Sequence, residues 1–213
     1  MLAAFTAGLL LITISELGDK TFFIAVILAM RHSRRLVFVG VLAALAAMTL
    51  LSVMLGQIVS LLPKHYIHFG EISLFIGFGL KLIYDAIRMP VKSENTGAKE
   101  AAHVVEQQSE GGTITMPAKG WSPSPNVAIL IQSFVMTFLA EWGDRTQIST
   151  IALAASYQPF GVTTGAILGH GICTAIAVIG GRLIAGRISE RVVTAIGGLL
   201  FLIFGYVAIL ESV

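Results

Sequence analysis

The sequence predicts an all-α membrane protein, six transmembrane helices arranged as two inverted three-helix repeats. Three observations carry this expectation. Of the 213 residues, 55% are hydrophobic and only 12% charged, with a mean hydropathy of +0.85, which excludes an ordinary soluble globule. Six apolar runs each reach the roughly 20 residues that one helical crossing of a bilayer core about 30 Å thick requires. An acidic motif also occurs twice, once in each set of three runs.

The first run, Leu2 to Met30, carries Glu16, Asp19 and Lys20 in its middle and lacks a basic leader. It therefore reads as a mature transmembrane helix rather than a cleavable signal. Five further runs follow at Leu36 to Leu62, Phe69 to Met89, Val127 to Ser156, Phe160 to Ile184 and Val192 to Leu210. Between them stand Arg31-His32-Ser33-Arg34-Arg35, Pro63-Lys64-His65, the polar stretch 90–126, Tyr157-Gln158-Pro159 and the segment from Arg182 to Arg191, all composed as breaks. These boundaries divide the chain into a first three-helix repeat (1–90), a cytoplasmic, disordered linker (91–126) and a second three-helix repeat (127–213).

Positively charged loops stay on the cytoplasmic side during insertion. Arg31, Arg34, Arg35, Arg88, Lys92, Lys99, Lys119, Arg182, Arg187 and Arg191 fall on one side of the six runs and only Lys64 on the other. Both termini are thus expected away from the cytoplasm and the central loop within it. That loop is rich in Lys, Glu, Gln, Ser, Gly and Pro, a composition that cannot bury enough surface to fold alone. Glu94, Glu100, His103, Glu106 and Glu110 are accordingly read as solvated, with no site assigned to them. The net charge of +2 and the lack of a basic block with interleaved aromatics argue against a nucleic-acid partner. The single cysteine, Cys173, excludes an intramolecular disulfide and a thiolate cluster.

The repeat is the most informative feature. Glu16-Leu-Gly-Asp-Lys-Thr21 recurs as Glu141-Trp-Gly-Asp-Arg-Thr146, and the same offset places Gly40 on Gly165, Thr49 on Thr174 and Gly56 on Gly181. After a five-residue shortening, Ile76-Gly77 falls on Ile196-Gly197. An odd number of crossings per half inverts the second half relative to the first, a transporter architecture whose substrate site lies near the bilayer midplane at the repeat interface.

On a continuous helix, Glu16, Asp19 and Lys20 would share one face at i, i+3 and i+4, as would Glu141, Asp144 and Arg145. An ionisable residue at a helix centre costs roughly 2.5–3.5 kcal/mol on insertion scales, so four carboxylates argue for function. The competing structural reading is a pair of internal salt bridges, Glu16 with Lys20 and Glu141 with Arg145, which apolar packing would replace at lower cost. Four negative and two positive groups leave a deficit that one divalent cation or two protons would neutralise, which suggests exchange of the two. Carboxylates with the hydroxyls of Thr21, Thr146, Ser15 or Thr137 and the amide of Gln147 make a hard, all-oxygen environment suited to Ca²⁺, Mn²⁺ or Mg²⁺ and unsuited to Zn²⁺ or Cu⁺. Protonation of the same carboxylates would release the metal, and the basic residues would replace it. Gly18 and Gly143 serve either close helix approach or a backbone kink. The glycines of the second and fifth runs, Gly40, Gly56, Gly165, Gly169, Gly171, Gly180 and Gly181, are expected at packed interfaces.

The paired motif Glu-x-Gly-Asp-Lys/Arg-Thr, once per three-helix half, resembles the signature of the bacterial Mnx/MneA manganese exporter family, whose relatives act in Golgi and thylakoid membranes as calcium and manganese transporters. The match spans essentially the whole chain. The resemblance implies a proton-coupled antiporter in the bacterial plasma membrane that exports Mn²⁺, and Ca²⁺ as a second ion, with Glu16, Asp19, Glu141 and Asp144 as ligands. It implies supporting roles for Lys20, Thr21, Arg145, Thr146 and Gln147, and the repeat relates Thr49 and Thr174 as further hydroxyls of the shell. The divalent ion is cargo and H⁺ its counter-ion, so no tightly bound cofactor is expected; membrane lipid is the other partner.

His170 breaks the repeat, since its counterpart is Leu45; it reads either as a proton relay or as a hydrogen-bonded interface histidine. Lys81 and Asp85, one turn apart near the cytoplasmic end of the third run, read as structural, with Lys81 pairing or snorkelling. Glu71, His65 and His68 read as a wet loop edge or a guide for leaving cations, and Trp121 and Tyr157 as interfacial anchors. The alternative function is export of a small organic cation such as a basic amino acid, disfavoured by the missing aromatic cage. Neither a nucleophile–base pair nor a histidine motif of the HExxH kind supports an enzyme, and a passive channel would need a ring of subunits.

Overall fold

The computed structural model describes residues 1–89, 96–110, 124–184 and 189–212. Among them lie nine helices: α1 (Leu2–Glu16), α2 (Lys20–Arg31), α3 (Arg34–Val59), α4 (Lys64–Arg88), α5 (Thr96–Glu110), α6 (Pro125–Ala140), α7 (Arg145–Ser156), α8 (Pro159–Ile184) and α9 (Glu190–Ser212). Four of them, α3, α4, α8 and α9, are long and apolar enough to cross a membrane, and the pair α6 and α7 makes up to a fifth span. At about 1.5 Å per residue, the 26 residues of α3 reach about 39 Å, more than the apolar core needs.

Two expected spans are not continuous. The run from Leu2 to Met30 divides into α1 and α2 at residues 17–19, and the run from Val127 to Ser156 divides into α6 and α7 at residues 141–144. The second break bends the chain by 74°. The 15 residues of α1 give about 22 Å, too short to span alone. Both breaks fall on the acidic motif, and the cause is local: Gly18 and Gly143 each take φ of 80°, a left-handed conformation that ends a right-handed helix.

The expected disordered linker also contains structure. Helix α5 lies within it, and Ala101 and Val105 are fully buried in a cluster with Phe22, Phe23, Val26 and Val41. The composition of the whole stretch hid a 15-residue segment, TGAKEAAHVVEQQSE, whose Ala101 and Val105 stand four apart on one stripe. Glu100 and His103 belong to this helix; Lys92, Glu94, Lys119, Trp121 and Arg187 lie outside the described residues, as do the side chains of Glu110 and Arg182. Tyr157 packs against the second apolar cluster, around Leu11, Phe75, Leu153 and Phe201.

Packing follows the internal repeat. Helices α2 and α7, and likewise α3 and α8, begin and end 125 residues apart. Helix α1 packs on α8 while α6 packs on α3, and α4 packs on α9. The α1–α8 contact is close because α8 presents glycines every fourth residue: a Cβ at Gly161 would lie 2.8 Å from the Ala4 methyl, one at Gly169 would lie 3.0 Å from the Thr13 hydroxyl, and one at Gly165 would overlap the Phe5 carbonyl. Without water to drive helices together, such backbone approach supplies the packing. Gly40 and Gly56 meet α6 and α7 in the same way, whereas Gly171 makes only ordinary contact with Leu42.

Gly165→Ala should therefore destabilise the protein by about 1–3 kcal/mol through overpacking. Gly77→Ala, with nothing within 4 Å of the added methyl, should be neutral or stabilise by up to about 1 kcal/mol through helix propensity. Thermal unfolding of the two purified variants checks the contrast.

Candidate functional site

The breaks build the site. Leu17 has φ −63° and ψ 112°, Gly18 has φ 80°, and the Asp19 amide donates to the Glu16 carbonyl at 3.2 Å. That is a type II turn, whose third position requires positive φ and so favours glycine. The second motif repeats it: Gly143 at φ 80° and the Asp144 amide donating to the Glu141 carbonyl at 3.1 Å. The motif residues thus occupy a turn and not one helical face, which corrects the i, i+3, i+4 expectation. Of the two uses open to these glycines, the turn is the one observed at Gly143, where a Cβ would meet nothing within 4 Å; Gly18 makes the same turn, with Gly97 of α5 packed close against its carbonyl.

Glu16 closes α1 and Asp19 holds the N-cap position of α2; Glu141 follows α6 and Asp144 holds the N-cap position of α7, with no side-chain capping hydrogen bond at either aspartate. The carbonyl ends of α1 and α6, carrying partial negative charge, therefore meet the amide ends of α2 and α7 at the centre of the bundle. Thr21 donates its hydroxyl hydrogen to Glu16 Oε2 at 2.9 Å, and Thr146 donates to Glu141 Oε2 at 3.1 Å. Glu16 and Glu141 are 2% and 1% exposed, which places two acids in the driest part of the molecule.

The turns converge. One carboxylate oxygen each from Glu16, Asp19 and Glu141 lie within 4.8 Å of one another, a span that one ion bonded to oxygen at about 2.3–2.6 Å can bridge. Asp144 is within electrostatic reach of all three. Among the described residues, Glu16 Oε1, Asp19 Oδ2, Glu141 Oε1 and Asp144 Oδ2 are buried without a hydrogen-bond partner, as are the hydroxyls of Ser15 and Thr137. Buried polar atoms are ordinarily satisfied, so these lone pairs are a set of free acceptors suited to a cation.

The supporting residues divide. Arg145 Nη2 lies 3.5 Å from Asp19 Oδ1, a pair that crosses between the repeats in place of the internal Glu141–Arg145 bridge. No ion pair of Lys20 occurs among the described residues. Gln147 accepts a hydrogen bond from the Gly143 amide at 2.7 Å and donates to Met48 Sδ at 3.1 Å, so it braces the second turn. Thr49 and Thr174 are both buried, but the Thr49 hydroxyl donates to the Leu45 carbonyl of its own helix. His170, 4% exposed, brings Nδ1 to 3.8 Å from Glu16 Oε1. Glu71 is buried and accepts from Ser156, with His68 at 3.9 Å, which is not a wet loop edge.

Asp19 and Arg145 open into a cavity of about 160 Å³ whose outer wall includes Asp85, Met89, Gly97, Glu100 and Glu190. Asp85 lines this cavity, and no ion pair between Lys81 and Asp85 occurs among the described residues.

A pair of broken helices presenting carboxylates at the bundle centre is the build of a membrane cation carrier. The chain belongs to the GDT1 family, described as divalent cation/proton antiporters, whose model matches residues 4–90 and 129–213. It is 55% identical over 208 residues to the GDT1-like protein sll0615 of Synechocystis sp., covering 98% of this chain and 97% of that protein. It is 45% identical over 202 residues to GDT1-like protein 4 of Oryza sativa subsp. indica, covering 94% of this chain and 71% of that protein. With Protein PAM71-homolog, chloroplastic, of Arabidopsis thaliana it shares 41% identity over 208 residues, 95% of this chain and 58% of that protein. No solved structure matches it.

Gly143→Ala adds a methyl to open space but forces a non-glycine residue to positive φ, a strain of about 1–3 kcal/mol. Thermal stability should fall by that amount, and the stabilisation conferred by added divalent cation should shrink with it, because the turn that aims Glu141 and Asp144 relaxes. Melting curves with and without cation measure both.

Proposed function

We propose that this chain exports Mn²⁺, with Ca²⁺ as a second ion, from the cytoplasm in exchange for protons, through a midplane site formed by Glu16, Asp19, Glu141 and Asp144. The observation that carries the reading is the convergence of three carboxylate oxygens within 4.8 Å at two broken helices. The donors are oxygens, as Mn²⁺ and Ca²⁺ accept. Arg145 offsets one negative charge at Asp19. The remaining carboxylates take either the ion or protons, and that competition couples the two fluxes.

On this reading, 1–90 and 127–213 are two inverted three-helix repeats, α1 with α2 and α6 with α7 being the broken first spans. The matched element bounds and the reciprocal packing of α1 on α8 and α6 on α3 support it. The cavity beside Asp19 lies at the end of α4 and the start of α9, adjoining the loops whose Lys and Arg excess assigns them to the cytoplasm. The site is thus reached from the cytoplasmic side, and the cluster of Leu11, Phe75, Leu153 and Phe201 packs towards the opposite side. Rocking of one repeat against the other would exchange the two accesses. The membrane is the plasma membrane of a bacterium, with both termini outside the cytoplasm.

Purified protein in liposomes with an imposed pH gradient tests the proposal. Mn²⁺ should enter as protons leave, recorded by a trapped pH dye, with Ca²⁺ and Mg²⁺ run in parallel. Metal entry without proton movement would instead indicate a channel, and absence of any divalent flux would favour an organic cation.

Glu141→Gln and Asp19→Asn should each reduce transport at least a hundredfold while the protein still inserts, since each removes a charged ligand; near-normal flux in both sinks the site. Apparent Mn²⁺ affinity should weaken as pH falls, because protons compete for the carboxylates, and equilibrium binding across a pH series reads this directly.

A further inference from the structure

Helix α8 lays His170, Cys173 and Thr174 on one buried face at i, i+3 and i+4, against the end of α1. Cys173 Sγ is occupied, donating to the Thr13 carbonyl at 3.2 Å. His170 Nδ1 and Glu16 Oε1 are different: they face each other at 3.8 Å, and neither has a hydrogen-bond partner among the described residues. A hydrogen bond to nitrogen spans about 2.7–3.2 Å, so these atoms do not bond directly. Two donors on one metal ion at about 2.0–2.6 Å stand about 3–5 Å apart, and 3.8 Å falls inside that range. The same Glu16 belongs to the three-carboxylate group, whose mutual span of 4.8 Å takes in no His170 nitrogen, so the imidazole meets the cluster through Glu16 alone.

A histidine kept for packing alone would be satisfied at Nδ1, and the repeat shows that packing needs no histidine: the corresponding residue of α3 is Leu45, equally buried. Glu141 therefore lacks the nitrogen that Glu16 has. Imidazole nitrogen suits first-row transition ions, whereas Ca²⁺ and Mg²⁺ take oxygen.

Resting on the proposed carboxylate site, we infer that His170 is a further ligand to the transported ion, binding through Nδ1 on the Glu16 side, and that it sets a preference for Mn²⁺ over Ca²⁺ and Mg²⁺. The two halves of the site are thus unequal, one of oxygen alone and one of oxygen with nitrogen.

The test uses the full chain in lipid nanodiscs loaded with Mn²⁺, read by pulsed electron paramagnetic resonance. Wild-type protein should show a directly bound ¹⁴N coupling that converts to the ¹⁵N pattern on labelling with [¹⁵N]histidine and vanishes in His170→Gln. In liposomes, His170→Leu, which installs the repeat-related residue, should lower the ratio of Mn²⁺ to Ca²⁺ transport at least tenfold, with Mn²⁺ flux falling much further than Ca²⁺ flux. Bound Mn²⁺ without nitrogen coupling, coupling that persists in His170→Gln, or an unchanged ion ratio in a transporting His170→Leu overturns the inference and leaves the carboxylate site standing. Equal loss of both ions in His170→Leu also overturns it, since a positioning role alone would produce that. Wild-type protein that neither binds Mn²⁺ nor moves any divalent ion overturns the carboxylate reading, and this inference with it.

Discussion

The rest of the structure depends on keeping four carboxylates inside a bundle of apolar helices. Charge in such a place is opposed by several kcal/mol per group, and the fold answers with backbone. Breaking α1 from α2 and α6 from α7 brings amide ends to Asp19 and Asp144, hydroxyls from the first turn of each following helix to Glu16 and Glu141, and Arg145 from one repeat to Asp19 of the other. A straight helix would offer none of the first two, because its amides are spent within the helix. The glycine of each motif is the means: without positive φ at Gly18 and Gly143 there is no turn, and without the turn the acids point along one helix rather than towards the other motif.

This also explains why the glycine-lined contacts matter. The acids meet only if α1 and α6 approach their partners closely, and the row Gly161, Gly165 and Gly169 lets the backbone of α1 lie against α8. Close packing here is therefore part of how the site is aimed, since a shift at Phe5 or Leu9 is carried along α1 to Glu16 at its end.

Much of this was legible in the sequence. The apolar runs gave α3, α4, α8 and α9 with ends within five residues, the doubled motif gave the acids that converge, and the asymmetry of His170 against Leu45 stands in the sequence ahead of its contact with Glu16. The breaks were missed because hydropathy sums over a window and passes across Leu17-Gly18 unchanged, although Glu-x-Gly-Asp with glycine at the third turn position was a type II signal. Helix α5 was missed for the opposite reason: two buried residues, Ala101 and Val105, decide its docking, and the polar average around them conceals so sparse a stripe. The Arg145–Asp19 pair was out of reach, since a contact between residues 19 and 145 depends on how the repeats are laid together.

The internal symmetry bears on how such a site works. Inverted repeats supply two equivalent halves, so a carrier built from them can open to either side with similar energy. Departures from symmetry then distinguish the two directions, and three of them stand beside the acids: Arg145 where the first motif has Lys20, Gln147 where the first repeat has Phe22, and His170 where it has Leu45. Gln147 ties the second turn to Met48, while Glu16 faces an imidazole. The second turn is thus tied by a glutamine side chain while the first is packed by α5 at Gly97, and the acid of the first turn is the one whose surroundings include a nitrogen. On the proposed reading, an ion shared between the two turns would meet unequal partners as the halves move, a chemical basis for holding the cargo differently on each side.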